Sequence, residues 1–263
     1  MSSKLSFCIV VPIYNEELGV ERCIRVLCEA LDKFPYRTSL IAVNDGSTDK
    51  TGTILNSLLS EYANLQVVSY VENIGYGGAV RKGIDRASEE GFCYALFMDS
   101  DLTNDPRYIG AFVEKMLDGV DVIKASRYVS GGEAQGVPAF RVIISVIGNK
   151  LARFLFGVPI LDCTNGFQAI KISLLREMPL SEDGFAIIME QLYYLKFLAK
   201  TFHEVPYTLV QRSDLLSKSS FYYRPKVFVQ YLKYPIKRFL NMAPKHIRYY
   251  KDKASTTHDL SRM

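Results

Sequence analysis

The sequence predicts an α/β fold, a mainly parallel sheet with helices on both faces, and three observations carry the prediction. β-rich runs recur along the first half with helical patterns between them, and parallel strands need such crossovers. Polar clusters fall at the carboxyl ends of those runs, where open α/β sheets bind ligands. A chain of 263 residues, 48% hydrophobic and 23% charged, is also long and apolar enough to bury a substantial core.

The first strand is LSFCIVVPIY, residues 5–14, a continuous run of the kind a sheet buried on both faces requires. Val20, Ile24, Leu27 and Leu31 then repeat at helical spacing, which predicts a helix over 17–34. SLIAVND at 39–45 is the second strand, and Ser47-Thr48-Asp49 is a start signal for the helix behind it. The alternation continues through LQVVSYV at 65–71, a helix opening near Gly77, CYALFMD at 93–99, a helix after Pro106, and VDVIKAS at 120–126. The second half is less regular. GGEAQGVP at 131–138 reads as a loop, 138–156 as a largely apolar helix, and DCTNGFQAIK at 162–171 as a turn into a strand. FAIIMEQLYYLKFLAK at 185–200 reads as a helix apolar nearly all round, and FHEVPYTLVQR at 202–212 as one late strand. With no internal repeat and no linker, the expectation is one domain over 1–220 and a basic, aromatic-rich extension over 221–263.

Composition excludes several classes. The five cysteines are odd in number and show no CxxC pairing, which suits reduced core thiols in the cytosol and neither a disulfide frame nor a zinc site. The three histidines have no Cys/His partner set. The apolar run at the N-terminus is too short for a signal peptide, and no window is long and uncharged enough to span a membrane; the nearest is broken by Lys150 and Arg153. The net charge of +4 hides an asymmetry: residues 218–253 carry +9 and residues 1–217 carry −5.

The sharpest chemical signal is Asp99-Ser100-Asp101 at the end of the fourth strand. Carboxylates this close repel unless a positive charge sits among them, and such a pair can hold a hard divalent cation that bridges a substrate's diphosphate. Asp105, just before Pro106, is read as a helix cap. The glycine run GYGGAVRKG is neither a P-loop nor a dinucleotide fingerprint; its glycines permit close backbone approach to a ligand and pack a helix on the sheet.

VPIYNEE, VNDGSTDKT, ENIGYGGAVRKG and MDSD occur in order at four strand ends, and together they resemble the family 2 glycosyltransferases of the GT-A fold. ASRYVSGG, RVIISVIGNKLARFLFG, DCTNGFQAIK and EVPYTLVQRSDLLSKSSF narrow the resemblance to the branch of dolichyl-phosphate mannose synthases and polyprenyl-phosphate glucosyltransferases, over about residues 5–220. The resemblance implies a GT-A, Rossmann-like enzyme that moves a sugar from a UDP- or GDP-linked donor to a polyprenyl phosphate, with inversion and with Mg2+ or Mn2+. Pro12, Tyr14, Glu16, Val43 and Asp45 would form the nucleotide site; Asp99, Ser100 and Asp101 would lie along the nucleotide. Asp101 would be the principal metal ligand, with Asp99 and Thr103 beside it; Thr103 stands where relatives often carry Gln. Arg127, Arg212 and Lys218 would bind the diphosphate and the acceptor's phosphate, guanidinium as a fork and ammonium as a point charge. Leu215 replaces the glycine of the family's Arg-x-x-Gly-x-Ser-Lys pattern. For Glu190 three roles stay open: a base for a hydroxyl acceptor, a group that positions the sugar, which is favoured, or a paired helix carboxylate.

The extension interleaves Phe, Tyr, Leu and Val with Lys and Arg, which suits a helix at an anionic lipid surface better than nucleic acid once the front half is considered. Relatives in this branch often add transmembrane helices. The expectation here is peripheral association with the cytoplasmic face of a membrane, through the extension and the 138–156 helix, or anchoring by a separate membrane subunit. Two rivals remain: a family 2 enzyme that glycosylates a hydroxyl of a polysaccharide or lipid-linked glycan, and a non-catalytic membrane or nucleic-acid binding module on a transferase fold.

Overall fold

The computed structural model describes residues 5–210, 225–240 and 242–244. Its elements are β1 (Ser6–Ile13), α1 (Val20–Leu31), β2 (Arg37–Asp45), α2 (Thr51–Leu58), β3 (Leu65–Tyr70), α3 (Gly75–Glu89) and β4 (Tyr94–Phe97). A 3-10 turn at Pro106–Tyr108 leads into α4 (Ile109–Leu117), followed by β5 (Val122–Ser126), β6 (Glu133–Gln135) and α5 (Ala139–Phe156). Then come β7 (Gln168–Lys171), α6 (Ile172–Leu175), α7 (Ile187–Leu198), β8 (Phe202–Pro206), β9 (Thr208–Val210) and α8 (Pro225–Phe239).

The main sheet has seven strands in the order β3-β2-β1-β4-β7-β5-β8. Every neighbouring pair is parallel except those of β7, which runs antiparallel to both β4 and β5. The chain winds outward from β1 through β2 to β3, then returns to β4 on the other side of β1. That reversal opens a crevice at the carboxyl ends of β1 and β4, the place where such sheets take ligands.

Side chains alternate between the two faces because a strand has a period of two. Phe7, Ile9, Val11 and Ile13 join Leu40, Ala42 and Leu96 under α1, α2 and α4. Cys8 and Val10 join Ile41, Val43, Ala95 and Phe97 under α3, α6 and α7. Each fully buried Ile or Leu in these layers contributes about 1.5–3 kcal/mol relative to exposure. Gly83 lets α3 lie close on the sheet: a Cβ there would sit 2.2 Å from Val10 Cγ1. A third cluster, with Ala152, Phe156, Met189, Leu192 and Tyr234, ties α5 and α8 to α7.

Two expectations are corrected. The late strand is two: β8 ends the main sheet, and β9, one residue on, pairs with β6 in a second small sheet. The 131–138 stretch read as a loop therefore contains a strand, whose partner lies more than seventy residues downstream. None of the cysteines is in a disulfide, and all but Cys93 are buried. No helix among the described residues is long and apolar enough to cross a membrane.

Candidate functional site

Two loops at the crevice are laced to each other. The turn after β1 puts Asn15 at a positive φ of 53°, and Asn15 Oδ1 accepts from Thr48 N at 2.8 Å. Glu16 N donates to Thr51 Oγ1, Lys50 N to Glu17 Oε2, and Glu17 N to Asp49 Oδ2. The polar residues of YNEE and GSTDKT thus satisfy backbone groups that neither loop can satisfy alone. Asp49 Oδ1 accepts from Thr51 N at 2.9 Å at the start of α2, the helix signal read in the sequence.

Beyond β4 the acidic loop is held in the same way. Asp101 Oδ1 accepts from Thr103 N at 2.9 Å and from Thr103 Oγ1 at 2.6 Å, an Asx turn that leaves Leu102 at φ 59°, a conformation disfavoured for leucine. The Asn104 carboxamide accepts from Asp99 N at 2.7 Å, and the buried Tyr207 donates its hydroxyl to Thr103 O. Asp105 caps the 3-10 turn by accepting from Arg107 N. Thr103, expected to assist a metal, spends its hydroxyl proton on orienting the Asp101 carboxylate.

A cavity of about 370 Å3 lies over this crevice, lined by Pro12, Tyr14, Glu16, Asp45, Asp99, Ser100 and Asp101, with Asp183, Gly184 and Phe185 on the far wall. It gathers five carboxylates and no basic side chain among the described residues. Asp45 is buried, and its Oδ1 accepts from Ile74 N at 2.8 Å; burial raises its pKa against the pull of the Ile74 and Gly75 amides. Hard oxygen donors with so little positive compensation fit a divalent cation carried in with a phosphorylated ligand, since Mg2+ is commonly held by one or two carboxylates plus substrate phosphates. No preformed group of three or more His, Cys, Asp or Glu ligands exists among the described residues. Val43 is a correction: its side chain is buried under α3 and does not line the cavity.

The far wall stands on the glycine run. Gly77 N donates to Asp183 O at 2.7 Å, and a Cβ on Gly77 would sit 2.1 Å from Glu182 O; Gly75, at φ 81°, is equally crowded by Asp183 O. The close approach that these glycines allow is to a protein segment, residues 182–183. Glu190 holds the same segment from behind: its buried carboxylate accepts from Ser181 N, Ser181 Oγ and Glu182 N at 2.8–2.9 Å and lines neither cavity. Direct sugar contact, the role favoured for Glu190, gives way to loop support. Its carboxylate is turned to Ser181 and Glu182 and away from both cavities, where a base for an acceptor would have to face.

A second cavity, about 520 Å3 and mostly apolar, opens between α5, α7 and α8. Tyr76, Asp99 and Phe185 line both cavities, and the Tyr76 and Phe185 rings stack at 4.5 Å between centroids. Arg127 and Thr103 line the second cavity only. The Arg127 guanidinium grips the buried Asp162 by a fork, Nε to Oδ2 at 2.7 Å and Nη2 to Oδ1 at 2.8 Å; burial opposes the charge, but the Asp162 carboxylate outweighs it and raises the pKa. Glu204 fixes that partner in turn by accepting from Leu161 N and Asp162 N. Beneath the Thr164-Asn165-Gly166 wall lies Lys124, fully buried, donating to Asn165 O at 2.7 Å and Gln168 Oε1 at 2.8 Å. Burial brings its pKa down to about 8, against the carboxylates of Asp162 and Glu204. Arg212, Lys218 and Leu215 lie outside the described residues.

Sequence reading missed Asn104, Tyr207, Asp162, Tyr76 and Phe185 as site residues. All but Asn104 sit inside stretches already singled out, and their roles depend on partners far along the chain; Asn104 acts locally, on Asp99 N.

Comparisons with known proteins agree with this geometry. A family model described as glycosyl transferase family 2 matches residues 8–178. The polyprenol monophosphomannose synthase of Mycolicibacterium smegmatis is 27% identical over 216 residues, 81% of this chain and 80% of that protein. The undecaprenyl-phosphate mannosyltransferase of Micrococcus luteus is 28% identical over 214 residues, covering 80% and 86%. The dolichol-phosphate mannosyltransferase of Pyrococcus furiosus is 30% identical over 226 residues, 84% of this chain and 62% of that longer protein. Glucosyl-3-phosphoglycerate synthase from Mycobacterium tuberculosis, solved with Mn2+, UDP and phosphoglyceric acid, superposes with a TM-score of 0.64 at 20% identity, over 90% of this chain and 79% of that one. The same enzyme has been solved with Mg2+ and UDP. These likenesses establish the GT-A architecture.

Proposed function

The chain belongs to glycosyl transferase family 2, and we propose that it transfers one sugar from a nucleotide-sugar to a polyprenyl phosphate, with inversion at the anomeric carbon. One observation carries the reading: a carboxylate-rich polar cavity meets an apolar cavity at a shared boundary of Asp99, Tyr76 and Phe185. The polar cavity suits the nucleotide-sugar, with Pro12, Tyr14, Glu16 and Asp45 toward the base and ribose and Asp99, Ser100 and Asp101 along the diphosphate. The apolar cavity suits a prenyl chain, with Arg127 facing its phosphate; Arg212 and Lys218 are proposed to complete that basic set. The sugar then lies at the boundary, and the acceptor's phosphate oxygen reaches the anomeric carbon on the face opposite the departing nucleotide.

Mg2+ or Mn2+, held by Asp101 and Asp99, would offset the charge that grows on the leaving diphosphate. A phosphate acceptor is already ionised and needs no base. That agrees with an acceptor cavity whose lining, among the described residues, holds no carboxylate besides the shared Asp99, and with a Glu190 whose carboxylate binds Ser181 and Glu182 outside both cavities.

A prenyl chain must enter from a bilayer. Helix α5 exposes Phe140, Ile143, Ile147 and Phe154, and α8 exposes Val229, Ile236 and Phe239; the Phe154 and Phe239 rings are 6.1 Å apart. Lys150, Arg153, Lys237 and Arg238 lie on the same two helices. Such a face suits the surface of an anionic membrane, and we place the chain peripherally on its cytoplasmic side, with a separate membrane subunit as the alternative anchor.

The test is to incubate the protein with Mg2+ or Mn2+, a short-chain polyprenyl phosphate and a panel of UDP- and GDP-sugars, and to look by mass spectrometry for a glycosylated lipid phosphate. A product is the expected result. Metal-dependent nucleotide binding without product, together with transfer to a glycan hydroxyl, would overturn it in favour of the hydroxyl-acceptor rival.

A further inference from the structure

Within one turn, helix α8 lines the acceptor cavity and bonds to the segment that leads into the wall of the donor cavity. Tyr231 and Leu232 line the acceptor cavity. The next two residues reach Glu182: Tyr234 Oη donates to Glu182 Oε1 at 2.8 Å, and Lys233 Nζ donates to the same oxygen at 2.5 Å. Glu182 belongs to the segment whose continuation, Asp183, Gly184 and Phe185, walls the donor cavity. Its side chain is largely buried, and although burial disfavours its charge, the Lys233 and Tyr234 hydrogen bonds hold its carboxyl below the ordinary range.

Other groups hold this segment from within the catalytic body. Glu190 binds Ser181 and Glu182 from behind, Gly77 N binds Asp183 O, and Arg81 donates to Glu182 O while pairing with Asp183 at 2.7 Å. The Glu182 side chain joins that body to α8 through Lys233 and Tyr234, and the Tyr234 hydroxyl also lies against Glu190. Pro235 has no N–H for the i→i−4 bond of the helix, so the turn that carries Tyr231 to Tyr234 forms one helical hydrogen bond fewer.

We propose that Glu182 is a positioning residue that couples the two sites: seating a polyprenyl phosphate against Tyr231 and Leu232 fixes this turn of α8, and through Lys233, Tyr234 and Glu182 it fixes the 183–185 wall of the donor cavity. The coupling rests on the donor and acceptor assignment above. Linkage makes it reciprocal, so acceptor raises donor affinity and donor raises acceptor affinity by the same factor. Each substrate is then held most tightly when the other is present, which limits loss of the sugar to water.

The experiment measures binding of unreactive phosphonate analogues of GDP-mannose and UDP-glucose, in which a CH2 replaces the anomeric oxygen, by calorimetry in Mg2+, with and without a short-chain polyprenyl phosphate, on the whole chain. For the wild type, acceptor is expected to tighten the bound donor by about fivefold or more, the lower end of ordinary coupling between sites. In Glu182→Gln and in Tyr234→Phe, which keeps the buried ring, that ratio is expected to fall towards one. A purely structural role would weaken donor binding equally with and without acceptor and leave the ratio at its wild-type value; that result overturns the coupling. Wild-type turnover in the mass-spectrometric assay with a ratio of one also overturns it and leaves the proposed function standing. Absence of both donor binding and turnover in the wild type defeats the function and the coupling together.

Discussion

The two cavities are built on opposite principles. The donor side is a set of polar residues fixed by side chain to backbone bonds: the Asp101 carboxylate by its own Asx turn, the Asp99 amide by the Asn104 side chain, the Asp45 carboxylate by the Ile74 amide, and the Asn15 and Glu17 side chains by the loop after β2. The acceptor side is a gap between helices, lined by apolar side chains over a buried polar floor of Lys124, Asp162 and Arg127. The difference teaches where each kind of recognition gets its precision. Charged groups that must meet a diphosphate are held by short-range hydrogen bonds to adjacent loops, whereas a prenyl chain needs only shape and dryness.

Breaking the donor side should cost the most. Asp101→Ala is expected to lower transfer by about a thousandfold, the several kcal/mol that metal-assisted charge stabilisation supplies, while the chain stays folded with at most a small drop in its thermal melt from the lost Asx turn; retention of full activity would remove Asp101 from the site. Gly77→Ala should come next, because its Cβ collides with the Glu182 carbonyl, a backbone atom that cannot swing aside. Its expected destabilisation is about 1–3 kcal/mol, read as a lower urea midpoint and accompanied by weaker donor binding.

The acceptor side should be more tolerant and fail differently. Ile143→Glu with Phe154→Glu alters exposed residues that do not line the cavity. Vesicle binding is expected to weaken by about tenfold or more, since each apolar side chain buried is worth about 1.5–3 kcal/mol, while turnover of a water-soluble short-chain acceptor persists. Equal loss of both would place these residues in the catalytic body instead.

A smaller effect concerns pH. The folded chain carries Lys124 with a pKa of about 8 against an ordinary 10.5, so between those values the unfolded chain binds more protons and this lysine's contribution to stability rises with pH. Below pH 8 both states are protonated and the full cost of the buried ammonium is present. Through that window the urea midpoint of the wild type should gain on that of Lys124→Met; parallel curves would show that burial leaves the lysine unperturbed.

How much of this was legible in the residues follows the same division. The alternation of strands and helices, the crevice acids and the glycine run were readable because period-two and period-3.6 patterns, Asx turns and tight glycine approaches are written within a few residues. Thr103 was named, but its hydroxyl serves Asp101. Val43 was named too, and it is buried because the sheet's period of two turns its side chain under α3 while Asp45 reaches the strand end. Glu190 could be assigned to a helix but not to a role, because its partners at Ser181 and Glu182 are chosen by how the chain turns back before α7.

By itself the sequence determined the parallel architecture, the strand ends that carry polar chemistry, the reduced cysteines and the basic, aromatic character of the last forty residues. Tertiary structure alone decided that β7 runs antiparallel between β4 and β5, that β6 and β9 form a separate sheet, and that Tyr76 and Phe185 close the boundary between two cavities. The physical reason is range. Hydrogen-bond and hydrophobic periodicities act along the chain and leave their pattern there, but a contact between residues a hundred positions apart is specified only by the packing of everything between them.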